Sequence, residues 1–253
     1  MYMDTHAHIY KEYYNDIEKL LSQIKKDNCF GVINAGCNQE TNEEVILLAK
    51  KYNNLFATLG IHPENATNYK TKNIDYIIKH LKEERVVGIG EIGLDFHYQG
   101  YNKEEQIMLF EKQLAIAQKH KLPVVIHSRD ATNDTIKCLK KFKVTGVIHC
   151  FTGSIETARE YIKLGYKLGI GGVVTFKNAK LKEVVNAIGL ENIVLETDCP
   201  YLSPDPVRGK INHPGNIKYI IEFLSKYLNI SEKEIIKKTN ENVKKVFDIN
   251  IMP

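Results

Sequence analysis

The chain has 253 residues, enough for one large domain with a well-buried core and a usual length for a closed barrel of alternating strands and helices. Apolar residues make up 43% and charged residues 26%, with no low-complexity tract or charge block; this argues against a linker or a disordered tail and makes one folded unit over residues 1–253 the simplest organisation. A formal charge of +4 suits an anionic substrate but is too small to imply nucleic-acid binding on electrostatics alone, and no apolar run reaches membrane-spanning length, so a cytoplasmic protein without membrane contact is expected.

In chain order, the first strand-like run is YMDTHAH, where Asp4, His6 and His8 stand in place of the apolar core of a signal peptide. It is followed by FGVINAG from Phe30, LFATLG from Leu55, RVVGIGEIG from Arg85, PVVIHS from Pro123, TGVIHCF from Thr145, YKLGIGG from Tyr166 and NIVLETD from Asn192. Between these runs apolar residues recur at helical spacing, for example Ile107, Phe110, Leu114 and Ala117. After the eighth run comes the Pro/Gly-punctuated loop PYLSPDPVRGKINHPGN, and then a helix with Ile217, Ile220, Ile221, Leu224 and Leu228 on one face. A last helix opens at Ser231 with Glu234 in capping-box spacing.

A parallel neighbour is reached only by a crossover, and the intervening helices supply it. The pattern predicts an α/β fold, a (β/α)8 TIM barrel with an extra C-terminal helix. A doubly wound open sheet is the alternative, but it would place a glycine-rich phosphate loop after the first strand, where this chain has His6-Ala7-His8. The five cysteines are odd in number and lack CxxC spacing, so they read as reduced thiols. Two of them, Cys150 and Cys199, each follow a candidate metal ligand and are expected to pack behind their strands, since adjacent strand residues face opposite ways.

Reactive side chains fall where these runs end: His6 and His8 on the first, His62 after the third, Glu91 closing the fourth, His127 the fifth, His149 the sixth and Asp198 the eighth. In a barrel those ends converge on one mouth. Alternate strand residues share a face, so His6 and His8 can reach one metal, and four histidines with two carboxylates can hold two cations. Glu91 interrupts an apolar strand, where an unpartnered carboxylate would be costly; a bridging cation accounts for it, with an Arg or Lys ion pair as the alternative. Asp198 can bind metal and take a proton from an attacking water, or merely cap its strand. His127 and His149 each end an otherwise apolar run and read as ligands. His62, held at the Pro63 turn, is expected to face substrate as an imidazolium that binds a phosphate oxygen or protonates the leaving group. His80, His97, His120 and His213 lie in helical or loop settings and are expected at the surface.

The stretches DTHAH, GIHPEN, GEIGLDFHY, LPVVIHSRDA, GVIHCFTGS, ETDCPYLSP and RGKINHPGN, followed by Asn242 to Phe247, resemble the TatD-like metal-dependent deoxyribonucleases of the amidohydrolase superfamily nearly end to end and in order. The resemblance implies His6, His8, Glu91 and Asp198 around one metal and Glu91, His127 and His149 around a second. It also implies that His62 contacts the substrate phosphate and that Arg129, Arg208 and Lys210 lie near a nucleic-acid backbone, whose oxygens suit the arginine fork. In one departure, His213 stands where many relatives carry Glu. The implied reaction is phosphodiester hydrolysis by water activated on two divalent cations (Mg, Mn, Zn or Ni), with Asp198 as base and His62 assisting the leaving oxygen. The implied substrate is single-stranded DNA or RNA, cut from the 3′ end without an obligate protein partner. The alternatives are a D-aminoacyl-tRNA deacylase, another amidohydrolase-type esterase or amidase, and a non-catalytic nucleic-acid-binding scaffold. Glu91 in place of a carboxylated lysine counts against the commonest amidase arrangement, and six intact ligand positions count against the scaffold.

Overall fold

The computed structural model describes residues 1–249. Its eight strands are β1 (Tyr2–Ala7), β2 (Cys29–Ala35), β3 (Leu55–Leu59), β4 (Val86–Asp95), β5 (Val124–Arg129), β6 (Gly146–Ile148), β7 (Tyr166–Ile170) and β8 (Ile193–Leu195). They lie in sequence order in one sheet, and each neighbouring pair is parallel. Each strand is followed by a helix: α1 (Ile17–Lys26), α2 (Gln39–Lys51), α3 (Thr71–His80), α4 (Lys103–His120), α5 (Thr132–Leu139), α6 (Ile155–Lys163), α7 (Leu181–Ile188) and α8 (Ile217–Leu228). A further helix, α9 (Glu232–Phe247), ends the described chain; the Ser231 hydroxyl accepts Glu234 N–H at its start (3.2 Å), the serine half of a capping box. This is the expected TIM barrel with an extra C-terminal helix. No helix of the described residues is long and apolar enough to cross a membrane.

The sheet closes where the segment after β8 returns to β1. Asp198 N–H donates to His6 C=O (3.0 Å) and His8 N–H to Cys199 C=O (2.8 Å). Inside the seam, the buried Asp4 carboxylate accepts from the backbone N–H of His6 (3.2 Å) and of Thr197 (3.0 Å) and from the Thr197 hydroxyl. Two candidate ligand segments, one from each end of the chain, are thereby fixed to each other.

The core has two layers. Outward-facing strand residues such as Val32, Leu55 and Leu168 pack under the helices, while Met3, Ile33, Val125, Val147 and Val194 fill the barrel interior together with Val243 and Phe247 of α9. Asn242 of α9 donates to the carbonyls of Leu190 and Ile193 (2.8 and 2.7 Å). The extra helix therefore plugs the end from which the strands start and leaves the opposite mouth for chemistry.

Two boundaries differ from the expectation. Glu91 does not close its strand: β4 runs four residues further, because β4 and β5 stay paired through Asp95 and Arg129. The pairing slips between Ile89 and Ile92, and Glu91 N–H bonds instead to Gly36 C=O (2.8 Å), which lets its side chain enter the mouth from mid-strand. His127 likewise sits within β5.

The loops at the mouth are held by buried amide side chains that each pair with both the N–H and the C=O of one residue, as a neighbouring strand would. Asn34 clamps Ile9 (2.7 and 2.9 Å), Asn42 clamps Gly60 (3.0 and 2.8 Å), Gln113 clamps Ile61 (2.8 and 3.0 Å) and Gln106 clamps Asp95 (2.8 and 2.8 Å). Each clamped residue neighbours a site residue or the turn that carries one. Asn34→Leu keeps the shape but leaves the buried N–H and C=O of Ile9 unpaired, and should cost about 2–4 kcal/mol in urea unfolding. A loss below about 1 kcal/mol would show that water replaces the clamp.

Candidate metal centre

β1 brings His6 and His8 to the mouth two residues apart, and the β8 seam sets Asp198 against them. His6 Nε2 and His8 Nε2 are 3.2 Å apart, both buried. Asp198 Oδ1 lies 3.6 and 3.4 Å from them, and Glu91 Oε2 3.4 and 3.5 Å. The orientation of His8 follows from its other nitrogen. The Tyr10 hydroxyl donates to Ala35 C=O and so accepts from His8 Nδ1–H (2.9 Å), which turns Nε2 toward His6 and the two carboxylates. Two imidazole nitrogens and two carboxylate oxygens converge at this spacing, and mixed imidazole and carboxylate donors suit a divalent cation.

A second cluster is built on the other oxygen of Glu91. Oε1 is 2.8 Å from His149 Nε2 and 2.9 Å from His127 Nδ1, and these two nitrogens are 3.1 Å apart. His127 is oriented from behind: its Nε2–H donates to Asp95 Oδ2 (3.0 Å), and the Gln106 clamp fixes Asp95. A carboxylate behind a metal-facing imidazole sets both the tautomer and the ring angle. Asp95 stands in the GEIGLDFHY stretch, yet nothing local singles it out, because its partner lies 32 residues on.

His62 joins this second cluster, with Nε2 3.5 Å from Glu91 Oε1, and groups with Glu91 and His127 within 4.8 Å. Its Nδ1 accepts Glu64 N–H (3.3 Å), so the proton is on Nε2, pointing into the site. Burial, with His127, His149 and His8 close by, holds its pKa down at about 3.

The carboxylates stay ionised. Burial alone would raise Glu91, but His149, His62 and His6 and the His127 hydrogen bond outweigh it and hold the group well below the usual range. Burial likewise works against Asp198, and the His8 hydrogen bond with the neighbouring imidazoles keeps it low. For His6, burial wins and lowers the pKa to about 4. His127 is opposite: burial lowers it, but the Asp95 and Glu91 hydrogen bonds bring it up to about 9.

The expected phosphate contacts are placed less tightly. Arg129 ends β5, exposed, with Nη1 3.2 Å from the Tyr98 hydroxyl and the guanidinium 5.2 Å from the Tyr98 ring centre. Arg208 lies over Phe176 (4.1 Å), and Lys210 is exposed. Among the described residues none of the three forms a salt bridge. The remaining histidines stand apart from both clusters: His80 pairs with Glu83, His97 with Asp130, His120 ends α4, and His213 lies near Gly215; of the four only His97 is fully exposed, and the others are half-buried rather than at the surface. Cys199 is fully buried as expected, whereas Cys150 is only half-buried just past β6.

The family model for TatD related DNases matches residues 3–248. The chain belongs to this family. It is 39% identical to the uncharacterized metal-dependent hydrolase YabD of Bacillus subtilis, over 99% of this chain and 100% of that protein. It is 29% identical, over 95% of each, to a Klebsiella pneumoniae protein named as the 3'-5' ssDNA/RNA exonuclease TatD. The crystal structure of YjjV, a TatD homologue from Escherichia coli, superposes with a TM-score of 0.93 over 98% of both chains at 28% identity. The protein is thus a metal-dependent hydrolase of the TatD family with an amidohydrolase-like barrel.

Two measurements probe the cluster geometry. In the metal-free protein His127 carries a proton below about pH 9, and a cation at Nδ1 must displace it. Metal affinity should therefore rise with pH toward that value, with proton release on binding at pH 7 seen by calorimetry in buffers of different ionisation heat. Asp95→Ala, which frees the His127 ring, should weaken metal binding about 10–100-fold; unchanged affinity would remove Asp95 from the centre.

Proposed function

We propose that this TatD-family hydrolase cleaves phosphodiester bonds in single-stranded nucleic acid, DNA above all, as a 3′-to-5′ exonuclease using two divalent cations. The observation that carries the proposal is the sharing of Glu91: one buried carboxylate presents Oε2 to His6 and His8 and Oε1 to His127 and His149. Two donor sets joined by one bridging carboxylate match the demands of a phosphoryl centre, where both the attacking and the leaving oxygen need charge beside them. His6, His8, Glu91 and Asp198 would hold one cation and Glu91, His127 and His149 the other; Mg, Mn, Zn and Ni all suit these donors.

Bound there, the cations supply positive charge for the scissile phosphate and lower the pKa of a water. The protein groups do the rest. Asp198 faces His6 and His8 with Oδ1, which leaves Oδ2 to take the proton from the attacking water. His62 Nε2–H, fixed by Glu64 N–H at the opposite nitrogen, donates a hydrogen bond to a phosphate or leaving oxygen without carrying charge. Arg129 sits at the rim of the same strand as His127, and its unpaired guanidinium suits an adjoining phosphate; Arg208 and Lys210 extend that cationic rim. The name of the Klebsiella relative supports the polarity and the single-stranded substrate. The chain would act as one barrel domain in the cytoplasm, without an obligate protein partner.

Purified protein with Mg or Mn should shorten 3′-labelled single-stranded DNA, and Glu91→Ala or His127→Ala should lower kcat/KM at least about a thousandfold, the scale seen when one electrostatic contributor to a transition state is removed. DNA hydrolysis that survives both substitutions would refute the site. Hydrolysis of D-aminoacyl-tRNA with none of DNA would transfer the centre to carboxylic ester chemistry.

A further inference from the structure

Beside the second cluster the mouth opens into a cleft of about 340 Å³, walled by the turn after His62 and by the β4–α4 loop. This is near the small end of ligand pockets, roughly 300–1,000 Å³, and suits one flat ring with its sugar rather than a helix or duplex. Two exposed aromatic rings form its wall. Tyr101, 42% exposed, has one face stacked on Phe96 (centroids 4.8 Å, planes 13° apart), and Tyr98, 54% exposed, is braced by Arg129. A ring braced on one side offers its other face to a ligand.

The polar lining has one sign. Glu64 and Asp95 contribute carboxylates, Gln99 and Asn102 amides, and no Lys, Arg or His lines the cleft. A phosphate would be repelled there. A neutral heterocycle with exocyclic amino groups would instead find acceptors at its edge and aromatic faces for its plane. The phosphate has its own place outside, at the metal centre and Arg129. Asp95 joins the two, because it lines the cleft while its Oδ2 accepts from His127 Nε2. One side chain of separation places the cleft next to the reacting phosphate.

We infer that this cleft is a nucleobase subsite: it takes the base of the nucleotide flanking the scissile phosphate, stacks it against Tyr101 and Tyr98, and favours amino-bearing bases over thymine or uracil through Glu64. The inference rests on the nuclease reading above and adds to it a place and a chemical preference for the base. It also accounts for exposed tyrosines gathered beside the catalytic mouth, since stacking platforms are the usual means of holding single strands.

The test uses single-stranded oligonucleotides whose 3′-terminal nucleotide carries A, C, G, T or no base, with kcat/KM measured for each. Wild-type protein should process base-bearing termini about tenfold or more faster than the abasic terminus, and A, C and G faster than T, the scale expected for loss of one stacked base. In the Tyr98→Ala/Tyr101→Ala double variant the gap between base-bearing and abasic termini should shrink to about twofold or less, and Glu64→Gln should narrow the gap between C and T while leaving that between C and abasic largely in place. Wild-type protein that treats the abasic terminus like the others, or a double variant that loses activity on both in equal proportion, would overturn the subsite and leave the nuclease assignment standing. Absence of hydrolysis of every oligonucleotide would overturn both.

Discussion

A carboxylate enclosed by five imidazoles is the constraint on which the mouth of this barrel is built. Glu91 is 3% exposed and has the ring nitrogens of His6, His8, His62, His127 and His149 within 3.5 Å. Such a group is tolerable only if its charge is answered, and hydrogen bonds from imidazoles answer it only in part. In the metal-free protein a proton shared with His127 supplies part of the missing charge. A pair of cations would supply more, and the charge that the site leaves unanswered would become metal affinity.

That arrangement dictates much of the surrounding fold. The β4–β5 slip exists where Glu91 must leave the regular ladder, and Gly36 C=O takes over its backbone bond. Gly93, directly opposite His127, has φ of +148°, and a Cβ there would overlap the His127 carbonyl, so the strand carrying the shared carboxylate can approach the strand carrying its partner only at a glycine. The amide clamps at Ile9, Gly60, Ile61 and Asp95 fix the loops around this centre without continuing the strands into it. At the far end, α9 packs Val243 and Phe247 against the apolar interior of the barrel.

The barrel and the six candidate ligands were legible because imidazoles and carboxylates inside apolar β-branched runs are conspicuous, and the C-terminal parts of parallel barrel strands share one mouth, although Glu91 and His127 project from within their strands rather than from the ends. What supports them was not. Asp95, Tyr10 and the clamping amides act on partners 2 to 52 residues away through side-chain to backbone or ring contacts, for which no local periodicity exists. The low pKa of His62 was not legible for a related reason: it comes from burial among other histidines, which a single sequence does not display. The half-buried setting of His80, His120 and His213 was not legible either, because neither helical nor loop position reports what packs over a side chain.

The shared role of Glu91 is tested most directly by counting metal ions. Titration of the metal-free protein with Mn, read by calorimetry and by anomalous scattering from crystals, should give two ions per chain, with His8→Ala weakening one of them and Glu91→Ala weakening both. A single ion in the wild-type protein, or a Glu91→Ala variant that still binds two with unchanged affinity, would contradict the account.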